Sequence, residues 1–119
     1  MNTPKRTIIC GGKLVRDKIP EIIRQDGKEV VCRVARDEEY EAYLIEKMIE
    51  EVEEFRKDSR LEEAADIYEV FLTFLKHWGI ELSDVLKFSQ YKSRERGKFD
   101  GGIILDEIIE KNESSGFFR

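Results

Sequence analysis

The sequence predicts a mainly α fold built on an antiparallel, acidic helical hairpin, with a few short peripheral strands. Apolar residues recur with a helical period between residues 37 and 78, and Gly79 follows that run as a stop signal. The composition is 40% hydrophobic and 39% charged, which suits a soluble helical domain with well-solvated faces. At 119 residues the chain can form one core, so we expect a single domain over residues 1–119.

The first third of the chain predicts a short helix, a strand and the start of a long helix. A helical turn is expected around Pro20–Arg24, followed by a turn at residues 26–28 (DGK). The β-branched stretch from Glu29 to Ala35 predicts a strand. Asp37 is the expected N-cap of a helix that reaches about Lys57.

The second long helix begins after the break at residues 58–60. Ser59 and Glu62 have the spacing of a capping box, in which each side chain bonds a free backbone N–H of the first turn. We expect the helix to reach about Trp78, with Gly79 ending it.

The last third predicts one more helix and a short strand. Ser83 is the expected cap of a helix to about Glu95, and glycines mark a loop over residues 97–102. Residues 103–105 (IIL) predict a strand, and residues 111–119 predict a mobile tail.

The net charge of −5 is unevenly distributed. Residues 1–36 carry nine Lys or Arg against four Asp or Glu, whereas residues 37–84 carry five against sixteen. Residues 85–119 carry seven against six. An acidic middle is a poor match to a nucleic-acid surface, but it suits a site where acids hold a cation and nearby bases hold an anion. The alternative is that opposite charges balance across the fold.

Localisation is expected to be cytoplasmic. No stretch approaches the roughly 20 apolar residues of a membrane helix, and no secretory signal is visible. Cys10 and Cys32 lack metal-type spacing and are expected to be reduced thiols. His77, the single histidine, cannot form a multi-histidine metal site, and we expect it at the surface.

Four carboxylates of the hairpin are predicted to converge. Glu54 and Glu63 lie equally far from the turn, and so do Glu51 and Asp66, so each pair should share a height, with the pairs about 4.5 Å apart along the axis. Glu63 also falls among apolar helix positions, where an unpaired carboxylate is costly. An Mg²⁺ or Mn²⁺ ion would resolve this conflict because both prefer oxygen ligands. The alternative is pairing with basic residues of the hairpin, namely Arg56, Lys57 or Arg60.

These motifs together resemble a known superfamily. The pattern E-E-x-x-E (Glu50, Glu51, Glu54), followed by E-x-x-D (Glu63, Asp66), resembles the all-α nucleotide pyrophosphohydrolases of the MazG and phosphoribosyl-ATP pyrophosphohydrolase-like superfamily. The stretches KLVRDKIPEII (13–23) and YKSRERGKFDGGIIL (91–105) resemble its small "house-cleaning" branch, so the resemblance covers about residues 13–105. Only eight residues separate Glu54 from Glu63, fewer than is usual there.

The resemblance implies a MazG-like helical bundle that cleaves the α–β phosphoanhydride of a nucleoside triphosphate, canonical or not. The products would be a monophosphate and pyrophosphate. The implied metal ligands are Glu51, Glu54, Glu63 and Asp66, and either Glu50 or Glu51 would orient the attacking water. The basic candidates for substrate binding are Lys92, Arg96, Lys98, Lys13, Arg16 and Lys18. Residues 16–18 could instead pair with the acidic hairpin.

Two other functions remain open: a non-catalytic helical interaction module, and the phosphoribosyl-ATP step of histidine synthesis. The apolar arc of the second helix is wider than one hairpin can cover, so we expect other helices or a second subunit to cover it. The resemblance adds weight to a homodimer or higher homo-oligomer. Phe71, Phe74 and Trp78 are expected in the core or at a subunit interface.

Overall fold

The computed structural model describes residues 5–111, and four helices lie within them. They are α1 (Ile19–Gln25), α2 (Asp37–Lys57), α3 (Leu61–His77) and α4 (Leu82–Arg96). The mainly α prediction is confirmed. The described chain forms two compact units, residues 5–82 and residues 83–111, with α1 to α3 in the first and nearly all of α4 in the second. The predicted mobile tail, apart from residue 111, lies outside the described residues.

Helices α2 and α3 form the predicted antiparallel hairpin. Glu41 near the start of α2 contacts His77 at the end of α3, whereas Glu51 approaches Asp66 nearer the turn. Leu44 of α2 and two apolar residues of α3, Val70 and Leu75, are buried. The hairpin thus has a narrow apolar core, and the contact of Glu51 with Asp66 lies nearer its closed end.

The predicted caps of the two long helices are wrong. The Ser59 hydroxyl donates to the carbonyl oxygen of Phe55 at 2.8 Å, so it satisfies the end of α2 and does not cap α3. Asp37 is the first residue of α2 rather than its cap, with a left-handed φ of 53° that aspartate tolerates better than most residues.

The end of α3 is as predicted. Gly79 has φ +68°. Its N–H bonds the carbonyl of Lys76, and the N–H of Ile80 bonds the carbonyl of Leu75. This pair of bonds is the Schellman motif, which requires a left-handed residue after the helix.

The outer helices differ from prediction only at their ends. Helix α1 contains the predicted Pro20–Arg24 turn, and Gly27 turns the chain after it with φ +81°. Helix α4 begins at Leu82, so Ser83 lies inside the helix rather than capping it, and the helix ends at Arg96.

Both predicted strands are wrong. Residues 29–35 and 103–105 are irregular, and no strand occurs in residues 5–111. Val31, Val34 and Ile103 are well exposed. A strand needs a neighbour that satisfies its backbone groups, and β-branched composition cannot supply one.

None of the helices in the described part of the chain is both long and apolar enough to span a bilayer.

Candidate metal centre

Three carboxylates from two helices meet near the closed end of the hairpin. Glu51 of α2 and both Glu63 and Asp66 of α3 each place one oxygen within 4.8 Å of the others. Glu63 and Asp66 are neighbours because they are three residues apart on one helix, and the hairpin register brings Glu51 to their height. The structure thus brings together three of the four carboxylates that the sequence predicts to converge. Their role as metal ligands stays a prediction.

The predicted convergence of Glu54 is wrong for this structure. Its carboxylate lies 4.0 Å from the ammonium group of Lys57, about half exposed to solvent. Lys57 is three residues further along the same helix, so the two side chains can pair in solvent without bending toward α3. Glu54 is close enough to act electrostatically on Glu63, but it lies outside the three-carboxylate cluster.

Glu51 is held by a lysine that the sequence analysis did not single out. Glu51 is 7% exposed, and among residues 5–111 it is the one buried charged side chain. The Nζ atom of Lys47 lies 3.1 Å from a Glu51 oxygen and 3.5 Å from Glu50. The Lys47 side chain is itself only 16% exposed. The signal in the sequence was the four-residue spacing of Lys47 and Glu51 on one helix face.

The ionised carboxylate of Glu63 is disfavoured by its surroundings. Desolvation of its carboxylate, which is 18% exposed, raises its pKa, and the negative charge of Asp66 adds to the effect. The guanidinium of Arg60, 3.6 Å away, acts in the opposite direction but does not cancel it. A cation bound among the three carboxylates would favour the ionised form instead.

The segment before α1 lies against the cluster. Arg16 donates a 2.8 Å hydrogen bond to Asp66, which raises the pKa of the arginine. Lys13 lies 3.6 Å from Glu50. Arg16 therefore pairs with the acidic hairpin, which is the alternative that the sequence left open for residues 16–18. Lys18, also predicted to bind substrate, is exposed at the start of α1.

The later basic candidates belong to the second unit. Lys92 and Arg96 lie four residues apart on α4, and Lys98 follows in the loop. All three are exposed. Their role in binding phosphate stays a prediction.

His77 is not the surface residue that the sequence predicts. Its Nε2 atom lies 3.0 Å from a Glu41 oxygen, and its ring packs edge-on against Tyr40 and Trp78. Phe71 and Phe74 are half-buried, whereas Trp78 is more than half exposed. Tyr40, His77 and Trp78 therefore pack together at the open end of the hairpin.

The donor set fits a hard divalent cation. Two oxygens bound to one Mg²⁺ at about 2.1 Å are at most about 4.2 Å apart. The three carboxylate oxygens all lie within 4.8 Å of one another, so small side-chain rotations would bring them onto one ion. Oxygen-only donors favour Mg²⁺ or Mn²⁺ over Zn²⁺.

Comparison with known proteins adds one partial relative. A segment of 54 residues is 48% identical to an uncharacterized protein of Mycolicibacterium smegmatis (strain ATCC 700084 / mc(2)155). The match covers 42% of this chain and 55% of that protein, so the chain spans about half the relative's length. No family model matches the chain, and no solved structure matches it.

Proposed function

We propose that this protein is a metal-dependent nucleotide pyrophosphohydrolase that cleaves the α–β phosphoanhydride of a nucleoside triphosphate. The observation that carries the proposal is the convergence of Glu51, Glu63 and Asp66. These residues occupy the metal-ligand positions of the motif that resembles the MazG-like superfamily. The partial relative has no described activity and does not bear on the proposal.

Glu51, Glu63 and Asp66 would hold Mg²⁺ or Mn²⁺, which supplies positive charge for the phosphates and lowers the pKa of water. Glu54 could join them after a rotation that breaks its long contact with Lys57. Glu51 is already fixed by Lys47, so its orientation costs little on binding. This ordering lowers the entropy cost of binding, although the charge of Lys47 itself competes with the cation.

Glu50 is the better candidate to orient the attacking water. It is the neighbour of Glu51 but is about one-third exposed, so water can reach it, and it lies outside the three-carboxylate cluster. Acting as a general base, Glu50 would take the proton while the water oxygen bonds to phosphorus. The phosphoanhydride bond then breaks, and its electron pair leaves with pyrophosphate. Basic side chains would stabilise that charge.

The exposed apolar residues of the hairpin support the proposed homo-oligomer. Helices α2 and α3 leave five large apolar side chains about half or more exposed, and helical register places them on one side of the hairpin. They are Ile45, Ile49, Val52, Leu61 and Tyr68. A second subunit would remove this surface from water.

A non-catalytic interaction module is the second candidate, and one observation favours it. Each clustered carboxylate already has a basic neighbour: Lys47 beside Glu51, Arg60 beside Glu63 and Arg16 beside Asp66. Ion pairs alone could therefore hold the hairpin. The raised pKa of Glu63 argues that the neutralisation is incomplete.

The test is pyrophosphate release from a panel of nucleotides, with phosphoribosyl-ATP included, in Mg²⁺, in Mn²⁺ and in chelator. We expect metal-dependent release of pyrophosphate with a nucleoside monophosphate as the second product. Hydrolysis confined to phosphoribosyl-ATP would assign the histidine-synthesis step instead. No hydrolysis of any nucleotide with either metal would favour the interaction module.

A further inference from the structure

Arg16 is bonded to one of the proposed metal ligands. Its guanidinium donates to the same carboxylate, Asp66, that faces Glu51 and Glu63. The two partners are 50 residues apart in sequence, so the contact joins the irregular segment before α1 to helix α3. Arg16 therefore stands where a divalent cation would compete for the carboxylate.

The three basic neighbours of the cluster differ in how freely they can leave. Lys47 is largely buried and pairs within its own helix. Arg60, at the boundary before α3, is exposed, but it also pairs with Asp58 at 2.7 Å, so it stays held at the turn when it leaves Glu63. Arg16 is 57% exposed and lies on irregular backbone. Solvent can replace its hydrogen bond, and among the described residues Asp66 is its one ion-pair partner, so Arg16 is the neighbour that a cation at Asp66 would set free.

We propose that Arg16 is a cation-displaced latch: it neutralises Asp66 until the metal binds, and it then binds the nucleotide's phosphate. The inference rests on the proposed function. A divalent cation bound by Asp66 repels the guanidinium and competes with it for the charge of the same carboxylate. The freed guanidinium remains beside the cluster, and its planar donors suit phosphate oxygens. One side chain would thus couple metal binding to substrate binding.

The first measurement is Mn²⁺ binding to the full chain without nucleotide. The electron paramagnetic resonance signal of free Mn²⁺ reports how much of the metal is bound. Arg16→Ala should bind Mn²⁺ roughly fivefold more tightly than wild type, because the competing charge is gone. The matched control is Arg24→Ala, which removes a similarly exposed arginine that pairs with Glu21 in α1. It should leave Mn²⁺ affinity unchanged.

The second measurement is the KM for the best nucleotide at saturating Mn²⁺. Arg16→Ala should raise KM about tenfold, and Arg16→Lys should recover part of the loss. Unchanged or weaker Mn²⁺ binding by Arg16→Ala would overturn the latch, and tighter Mn²⁺ binding with unchanged KM would overturn its phosphate role. If wild type does not bind Mn²⁺ at all, the proposed function itself fails, and the latch with it.

Discussion

At the scale of single residues, the cluster predicts which carboxylates of the hairpin are needed for metal-dependent hydrolysis and which are not. Glu51→Gln, Glu63→Gln and Asp66→Asn keep side-chain shape but each removes a charge from the site. Each should lower metal-dependent hydrolysis by orders of magnitude, because a cation loses a charged ligand. Glu54→Gln should have a smaller effect, since its carboxylate lies outside the cluster. Steady-state assays of pyrophosphate release measure the series.

The controls for that series are two equally acidic positions on the same helices. Glu53 is exposed and pairs with Arg56 at 3.5 Å, and Glu69 is exposed on α3. Glu53→Gln and Glu69→Gln should be nearly silent. Equal loss of activity in all six variants would show that the overall negative charge of the hairpin, rather than this cluster, supports the reaction.

Glu63 should also make stability depend on pH in a defined direction. Its pKa is raised in the folded protein above the ordinary value of 4.5, so the folded state binds a proton more readily than the unfolded state. Ionised Glu63 therefore does not lower the free energy of unfolding below pH 4.5, and it lowers this free energy increasingly as pH rises through the raised pKa. In chelator, Glu63→Gln should be as stable as wild type at low pH and more stable near neutrality.

Chemical denaturation at several pH values checks this prediction, with Glu62→Gln as the exposed neighbouring control. Excess Mn²⁺ should stabilise wild type but not Glu63→Gln, because the ion loses a ligand. Lower stability of Glu63→Gln in chelator would instead mean that its pair with Arg60 dominates.

At the scale of the helices, the ion pair inside α2 holds the site before any cation arrives. Lys47→Met would leave the buried Glu51 carboxylate without its 3.1 Å partner. The change should lower the free energy of unfolding in chelator by about 1–3 kcal/mol. The stabilisation gained from Mg²⁺ should then be larger than in wild type, since the ion replaces a missing charge. Thermal unfolding with and without Mg²⁺ measures both effects.

The Schellman motif at the end of α3 gives a second test at this scale. Gly79→Ala meets no atom within 4 Å, so its cost comes from the left-handed backbone alone. We expect a loss of about 1–2 kcal/mol in the free energy of unfolding. Gly101→Ala is the control, because its φ is not positive and its neighbours are at ordinary contact distance.

At the scale of the whole molecule, the apolar side of the hairpin predicts self-association. Ile49 and Tyr68 lie equally far from the turn and are both more than half exposed. Wild type should sediment as a dimer or larger, and Ile49→Glu should shift it to monomer by placing a charge in the buried surface. Lys57→Glu, a charge change at an already polar position, is the control. A monomeric wild type would contradict the prediction.

The features that depend on neighbours along the chain could be predicted from the amino-acid sequence. Helical periodicity predicted α2 and α3, and Gly79 marked the end of α3 because only a left-handed residue completes that turn. The mirror register of the hairpin brought Glu51, Glu63 and Asp66 together, since helix geometry fixes the rise per residue.

The contacts between distant segments could not be predicted in the same way, because they form only when the chain packs. Glu54 turned to Lys57 and away from the cluster, and the valine-rich residues 29–35 stayed irregular without a neighbouring strand. Arg16 reached Asp66 across 50 residues, which no local pattern specifies. Whether a charged side chain pairs along its helix, across the hairpin or with solvent depends on small differences in distance and desolvation, and these exist only once the chain has packed.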